Sequence, residues 1–416
     1  MDTTLESPPS ARDATSARHS ALRREWHQAL VHTDALFALV SHDTLLARPI
    51  TDRHRLIFYV GHLDAFDWNQ LARGVLDVPA FNATFDRLFE RGIDPPPGQA
   101  PADSPTDWPA LAEVRAYVAR VRRELDRLWD ALPEERLLTA LEHRWMHAET
   151  LAYLLHALEP ECKRAPVRHP PLATLPPPQP GWVRISAGRA TLGQSRGAFG
   201  WDNEFPRHTR PVDAFELARH KVTNGEYLRF VQDGGPVPPF WQLHDGQWWL
   251  RRMFDTVPLP LHEPVYLTHR QAAHYASRVG ARLPTEAEWQ LAAYRAARSY
   301  PWGDDVPAAL ANCANADFAD WNLVPVNAHP RGATPEGVQQ MLGNGWEWTA
   351  TPFAGFDGFA PRPYYPGYSA DFFDGEHFVL KGASPRTAAR LARPSFRNWF
   401  RHDYPYAYAT ARLARG

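Results

Sequence analysis

A proline-dense stretch, APVRHPPLATLPPPQPGW at 165–182, divides the chain into two parts of different texture. Proline has a fixed φ and no amide hydrogen, so such a run sustains neither a helix nor a sheet ladder. It reads as a semi-rigid, extended linker. On its N-terminal side the apolar residues recur at helical steps. Leu111, Val114, Val118, Val121, Leu125 and Leu128 make one stripe within 109–132, and Trp26, Leu30, Phe37 and Val40 make a less regular one. Another helix is expected from Thr51–Asp52, which can cap it, to about Arg73, and a fourth from Pro133-Glu134-Glu135 to about Leu158. Four helices with short or loop-like connections imply an antiparallel four-helix bundle.

Beyond the linker, glycine, proline and tryptophan rise. Short β-type segments such as Trp182–Ser186 and Phe378–Lys381 alternate with long loops, and helical patterns stand out around Asn224–Gln232, Thr268–Arg278 and from Pro284-Thr285-Glu286. The expected class is α+β and multidomain: a disordered leader at 1–17, a helical domain at 18–164, a linker at 165–180 and an α+β domain at 181–416. A net charge of −2 gives no reason to expect nucleic acid or an anionic membrane as partner. No run approaches the roughly 18 apolar residues that span a bilayer. Cys162 and Cys313 lie far apart and in no CxxC pattern, so no disulfide framework is expected and the cytoplasm is the default location. Monomer and dimer both remain open.

The fourth helix carries His143-Arg-Trp-Met-His147-Ala-Glu149. An i,i+4 pair puts both imidazoles on one helix face, suited to neighbouring positions on one metal ion. Glu149 points away from that face and His156 points opposite His147, so neither is expected as a ligand. The third ligand is expected to be His62, four residues from both Phe58 and Phe66 on the core side of the second helix; His54, near the helix start, is the weaker rival. Three neutral imidazoles leave about three positions open on an octahedral ion, which suits a redox metal that takes substrate and dioxygen; a three-histidine zinc site is the alternative.

HxxxHxE on a bundle resembles the DinB-like metal-binding fold. Lys221-Val-Thr-Asn224, Arg282-Leu-Pro-Thr-Glu286-Ala-Glu288-Trp289, Pro301-Trp302-Gly303, Gly343-Asn344-Gly-Trp346-Glu347-Trp348-Thr349 and Leu380-Lys381-Gly382 resemble the formylglycine-generating-enzyme-type domain, a C-type-lectin-like fold. The two halves in this order resemble the ergothioneine-type sulfoxide synthases. The resemblance implies Fe(II) held by His62, His143 and His147, and dioxygen used to join a chalcogen to C2 of the hercynine imidazole. Arg397-Asn398-Trp399 matches the segment that holds hercynine, with Asn398 for its carboxylate and an aromatic face for its trimethylammonium group. Met146, beside His147, is placed to touch substrate. The formylglycine-type activity needs a reactive cysteine pair, whereas Cys313 stands alone after the linker.

Three departures bear on the donor. Where sulfur-inserting relatives carry a proton-donating tyrosine after WEWT, this chain reads Phe356-Asp357-Gly358-Phe359; Tyr364, Tyr365 and Tyr368 are the candidate replacements. Phe400 follows Trp399 where thiol-peptide users can place an acidic residue. The loop at 93–105 lacks the arginines expected to bind a γ-glutamylcysteine carboxylate. Missing charges favour a neutral donor, so the expected donor is a selenosugar, as in the selenoneine-forming members of the family, with a thiol such as γ-glutamylcysteine or cysteine as the alternative. A DinB-like thiol transferase and a non-catalytic lectin-like binder are the remaining readings. The tryptophans of GNGWEWT are expected as core anchors and the carboxylates of RLPTEAEW as helix caps and braces.

Overall fold

A computed structural model describes residues 11–90, 101–166, 175–305 and 310–416. The chain divides into two compact units, 1–151 and 152–416.

In the first unit α1 (Ala11–Phe37) begins inside the stretch expected as a leader, whose residues 1–10 are outside the description; alanine and arginine favour the helix from Ala11 onward. α2 (Leu56–Asp67) starts later than expected. Thr51 and Asp52 lie in a turn, and Arg55 occupies the cap position in an extended conformation, its guanidinium donating to Asp103 (2.9 Å) and to the Leu46 carbonyl (2.7 Å). α2 runs on as a π-helical turn, Trp68–Arg73. A short α3 (Ala83–Leu88), capped by Asn82, was not legible as a helix. α4 (Leu111–Leu128) buries Val114, Val118, Val121 and Leu125 of the expected stripe and Tyr117 beside them, while Leu111 and Leu128 at its ends are half-buried. α5 (Glu134–Ala157) begins where the Pro133 signal placed it. Of the α2 residues all but Val60 are buried, so this helix forms the centre of the unit. No described helix is long and apolar enough to cross a membrane.

The second unit is sheet-rich. Its elements are β1 (Trp182–Ile185), β2 (Gly188–Leu192), β3 (His208–Val212), β4 (Phe215–Ala218), α6 (Asn224–Gln232), β5 (Trp241–His244), β6 (Gln247–Arg251), β7 (Thr256–Pro258), α7 (His269–Arg278), α8 (Glu286–Tyr294), β8 (Trp346–Pro352), β9 (His377–Lys381), β10 (Asn398–Arg401), β11 (Ala409–Thr410) and β12 (Ala414–Arg415). One sheet has the order β10-β9-β8-β11, with β11 parallel to β8 and the other pairs antiparallel. A second has the order β1-β4-β12. Capping boxes open all three helices, from Thr223 to Glu226, Thr268 to Gln271 and Thr285 to Glu288.

Buried ion groups tie together segments far apart in sequence. Glu347 on β8 accepts from Lys221 Nζ (2.6 Å), Arg412 Nη2 (2.7 Å) and Trp289 Nε1 (2.9 Å). Arg397 pairs with Glu286 (2.8 Å) and donates to the carbonyls of Ala354 and Asn203. Trp346 and Trp348 are buried, as expected of anchors. The last turn of α5 belongs to this unit: Arg251 donates to the carbonyl of His156 (2.8 Å), offsetting the negative helix end. Of the linker, 167–174 lie outside the description, and the Pro176 carbonyl beyond them accepts from Asn327 (3.0 Å).

Candidate metal centre

His62, on α2, and His143 and His147, on α5, offer ligand nitrogens that all lie within 4.8 Å of one another. That is the set expected from spacing. His54 is excluded from it and stacks on Phe58 instead (4.2 Å). His156 stacks on Phe240 (4.2 Å) and bonds the Arg251 carbonyl and the Tyr408 hydroxyl, so it is satisfied without a metal. Glu149 is buried and stands outside the cluster.

Each imidazole is held by packing. Phe66 stacks on His143 at 3.5 Å between centroids and Phe58 on His62 at 4.8 Å, while Tyr59 lies 5.8 Å from His147. His62 Nδ1 donates to the Phe89 carbonyl (2.7 Å), which makes Nε2 the nitrogen with a free lone pair. That Nε2 is buried without a hydrogen-bond partner, as are Nδ1 of His143 and Nδ1 of His147. Orphaned buried nitrogens of this kind are costly unless something fills the space among them. Burial pushes the His62 imidazole down to about 4, and pushes those of His143 and His147 well below their ordinary range. All three are therefore neutral at pH 7, the state that ligates a cation. The donor set fits iron and other divalent transition metals.

Two supporting features escaped the sequence reading. Gly61 lets the Phe89 ring lie against α2: a Cβ there would sit 2.6 Å from that ring. A glycine inside a helix was the available signal. Gly61→Ala is expected to displace Phe89 with its carbonyl and to weaken metal binding about 10- to 100-fold, measured by cobalt(II) titration of apoprotein; unchanged affinity would refute a role for the Phe89 carbonyl. The second feature is ionic. Arg144, fully buried, sits 2.7 Å from Asp67 and 3.3 Å from Asp64, and Arg122 of α4 bonds Asp64 from the other side (2.9 Å). Trp26 of α1 also donates to Asp67 (3.2 Å). These contacts fix the register of the two histidine-bearing helices.

The other candidates lie in two groups. Met146 is partly buried on α5. Asn398, Trp399 and Phe400 lie on β10, paired with Leu380, Val379 and Phe378 of β9. Asn398 accepts from the Trp399 amide (2.9 Å) through Oδ1. One face of Trp399 is covered by Phe353 (4.3 Å, 7°), and the Tyr368 ring meets it edge-on at 5.3 Å. Phe400 stacks on Tyr404 (5.1 Å). Phe356 is buried beneath the Arg397 guanidinium (4.2 Å) with His208 against its edge, and Phe359 packs on Phe373 (5.0 Å). Tyr368 stacks on Trp201 (3.9 Å), Tyr364 accepts a hydrogen bond from Arg362, and burial, with the Asp202 charge adding, pushes the Tyr365 phenol up to about 12. In the loop at 93–105, residues to 100 lie outside the description; at its end Asp103 engages Arg48 and Arg55.

Residues 11–159 match the DinB superfamily and residues 171–416 the sulfatase-modifying factor enzyme 1-like domain. The chain is 36% identical over 352 residues to the hercynine oxygenase of Mycolicibacterium thermoresistibile, covering 73% of this chain and 74% of that protein. It is 27% identical over 490 residues to ergothioneine biosynthesis protein 1 of Neurospora crassa, where 91% of this chain spans 55% of the relative. It thus spans little more than half the length of the fungal protein. The formylglycine-generating enzyme of Streptomyces coelicolor is 28% identical over 254 residues, covering 49% of this chain and 78% of that enzyme. With a helical unit that carries a three-histidine cluster followed by a sheet-rich unit, and both family matches in that order, the chain belongs to the ergothioneine-type sulfoxide synthase family.

Proposed function

We propose that the chain is a non-haem Fe(II), dioxygen-dependent enzyme that joins the selenium of a selenosugar to C2 of the hercynine imidazole. The observation that carries the metal chemistry is the convergence of three neutral imidazoles with orphaned buried nitrogens. His62, His143 and His147 hold the ion, and iron when bound supplies a Lewis-acidic, redox-active meeting point for the substrates. The reaction balances as follows: the hercynine C2–H and the donor Se–H bonds are lost, one C–Se bond forms, and selenium gains one oxygen atom. Dioxygen accepts four electrons, two from the coupling and two from selenium, and its second oxygen leaves as water.

This chain's residues bind and orient. The Asn398 carboxamide donates to the hercynine carboxylate, and the Trp399 face opposite Phe353 receives the trimethylammonium group. Met146 lies beside the ligand His147 and contributes apolar contact. Phe356, Phe359 and Phe400 offer no charge to a peptide donor, which supports a neutral sugar. Tyr368 is the proton donor we favour, because its ring meets Trp399 edge-on at 5.3 Å.

A thiol donor is the second reading, favoured by the identity to hercynine oxygenase. Incubating the Fe(II) protein with hercynine and a selenosugar under air is expected to yield the coupled selenoxide by mass spectrometry. Turnover with γ-glutamylcysteine but none with the selenosugar would overturn the selenium reading and leave the iron enzyme standing.

A further inference from the structure

We propose that a second small-molecule site lies in the helical unit: a cavity among α1, α2 and α4 that takes an amphipathic organic anion and reports its occupancy to the metal-bearing helices. The cavity holds about 500 Å³ and is lined by Phe37, Val60 and Val118 on its apolar walls and by Arg115, Arg122 and Arg123 on its polar side. That volume lies within the range of small-molecule sites, and it seats a compact organic anion rather than a helix or a strand.

The three arginines differ in their engagements. Arg122 is neutralised: it donates to both oxygens of Asp34 (2.6 and 2.9 Å), which also lines the cavity, and to both of Asp64 (2.9 and 3.1 Å). Arg115 and Arg123 have no hydrogen bond or ion pair among the described residues. Positions 115, 118, 119, 122 and 123 recur at helical steps, so α4 presents these cations beside its own apolar residues on one face. Apolar walls with two uncommitted guanidiniums complement a ligand with a hydrophobic body and a carboxylate, sulfonate or phosphate head.

The link to the metal centre runs through Asp64, which Arg122 and Arg144 share. Asp64 stands two residues after His62, and Arg144 directly follows His143. An anion that draws Arg122 toward the cavity leaves Asp64 to Arg144 and shifts the balance between α2 and α5. By linkage, any effect on metal affinity returns as an equal effect on anion affinity. The site rests on its own lining and stands or falls independently of the reaction proposed above.

The test uses the full chain and 8-anilinonaphthalene-1-sulfonate, an amphipathic anion that fluoresces when shielded from water. Saturable binding is expected, with the near-ultraviolet circular dichroism unchanged so that binding to an unfolded fraction is excluded. The double variant R115E/R123E, at two exposed positions, is expected to weaken binding about tenfold or more. Ala119→Trp, which fills the cavity from its exposed rim, is expected to do the same without altering charge. The uncharged N-phenyl-1-naphthylamine is expected to bind at least about tenfold more weakly than the sulfonate. No saturable binding, or binding that neither variant changes, overturns the site. The coupling is read by titrating apoprotein with cobalt(II): saturating sulfonate is expected to shift the cobalt affinity or its visible spectrum. An unchanged affinity and spectrum overturn the coupling and leave the site.

Discussion

Replacing His143 by alanine is expected to remove bound iron and dioxygen-dependent turnover together, the latter by on the order of 10³-fold or more. The ion would lose one of three ligands, and the remaining pair, His62 and His147, would come from different helices, with no further histidine, cysteine or carboxylate in the cluster among the described residues. Stability should respond differently. The imidazole leaves a gap against Phe66, costing about 1–3 kcal/mol, but its orphaned Nδ1 disappears with it, which returns part of that cost. The discriminating readouts are iron per chain and the rise in melting temperature on metal addition, which should vanish because binding to the native state is what produces it. His156→Ala is the control. That histidine is also buried, and its pKa is pushed down to about 3 by burial, yet its nitrogens are occupied by Arg251 and Tyr408. It should lose stability and keep its iron. Because burial holds His62 near 4, protons should compete with metal only well below pH 6.5, the ordinary histidine value. Full iron and full turnover in the His143 variant would remove the site from this cluster.

The convergence of the three histidines was legible because a helix converts sequence spacing into direction. His143 and His147 need only the 3.6-residue period to share a face, and His62 needs only Phe58 and Phe66 to mark its side as the core. What lies around them was not legible, because each partner comes from another element. The Phe89 carbonyl reaches His62 across 27 residues, and Arg122 reaches Asp64 across 58. Neither carries a spacing signal. The start of α2 failed for a related reason. Thr51–Asp52 has the chemistry of a cap, but Arg55 takes the cap position because Asp103 and the Leu46 carbonyl hold its side chain there.

In the sheet-rich unit, local signals gave the three helices and the strands at Trp182–Ile185 and His377–Lys381, but not how the strands pair. Thr223, Thr268 and Thr285 each bond the amide three residues on, and a capping box is written in four consecutive residues. Strand order is not written locally at all. β8 sits between β9 and β11, which lie after it in sequence, and β12 closes on β4 from the far end of the chain. Glu347 illustrates the gap. Its motif is conspicuous, but its partners Lys221, Trp289 and Arg412 stand 126, 58 and 65 residues away.

That centre carries the largest expected stability effect in the second unit. Glu347→Gln is expected to destabilise the protein by about 3–5 kcal/mol, because it leaves the Lys221 and Arg412 cations fully buried without their carboxylate. In a unit of this size that corresponds to a melting transition roughly 10 °C lower. Trp289→Phe removes one neutral donor to the same carboxylate and should cost only about 1–2 kcal/mol beyond packing. The pH dependence follows with a definite sign. Burial raises the Glu347 pKa, but Arg412 and Lys221 outweigh it and hold the group below its ordinary value of 4.5. A carboxyl depressed in the folded state contributes stability that is fully present above the unfolded value and is lost as pH falls through the folded one. The wild type should therefore hold its advantage over Glu347→Gln from neutrality down to about pH 4.5 and lose it progressively below. Thermal melts of both proteins across pH 3–7 measure this directly. A gap between them that stays constant through the acid limb would mean that Glu347 is not the ionised hub of the fold.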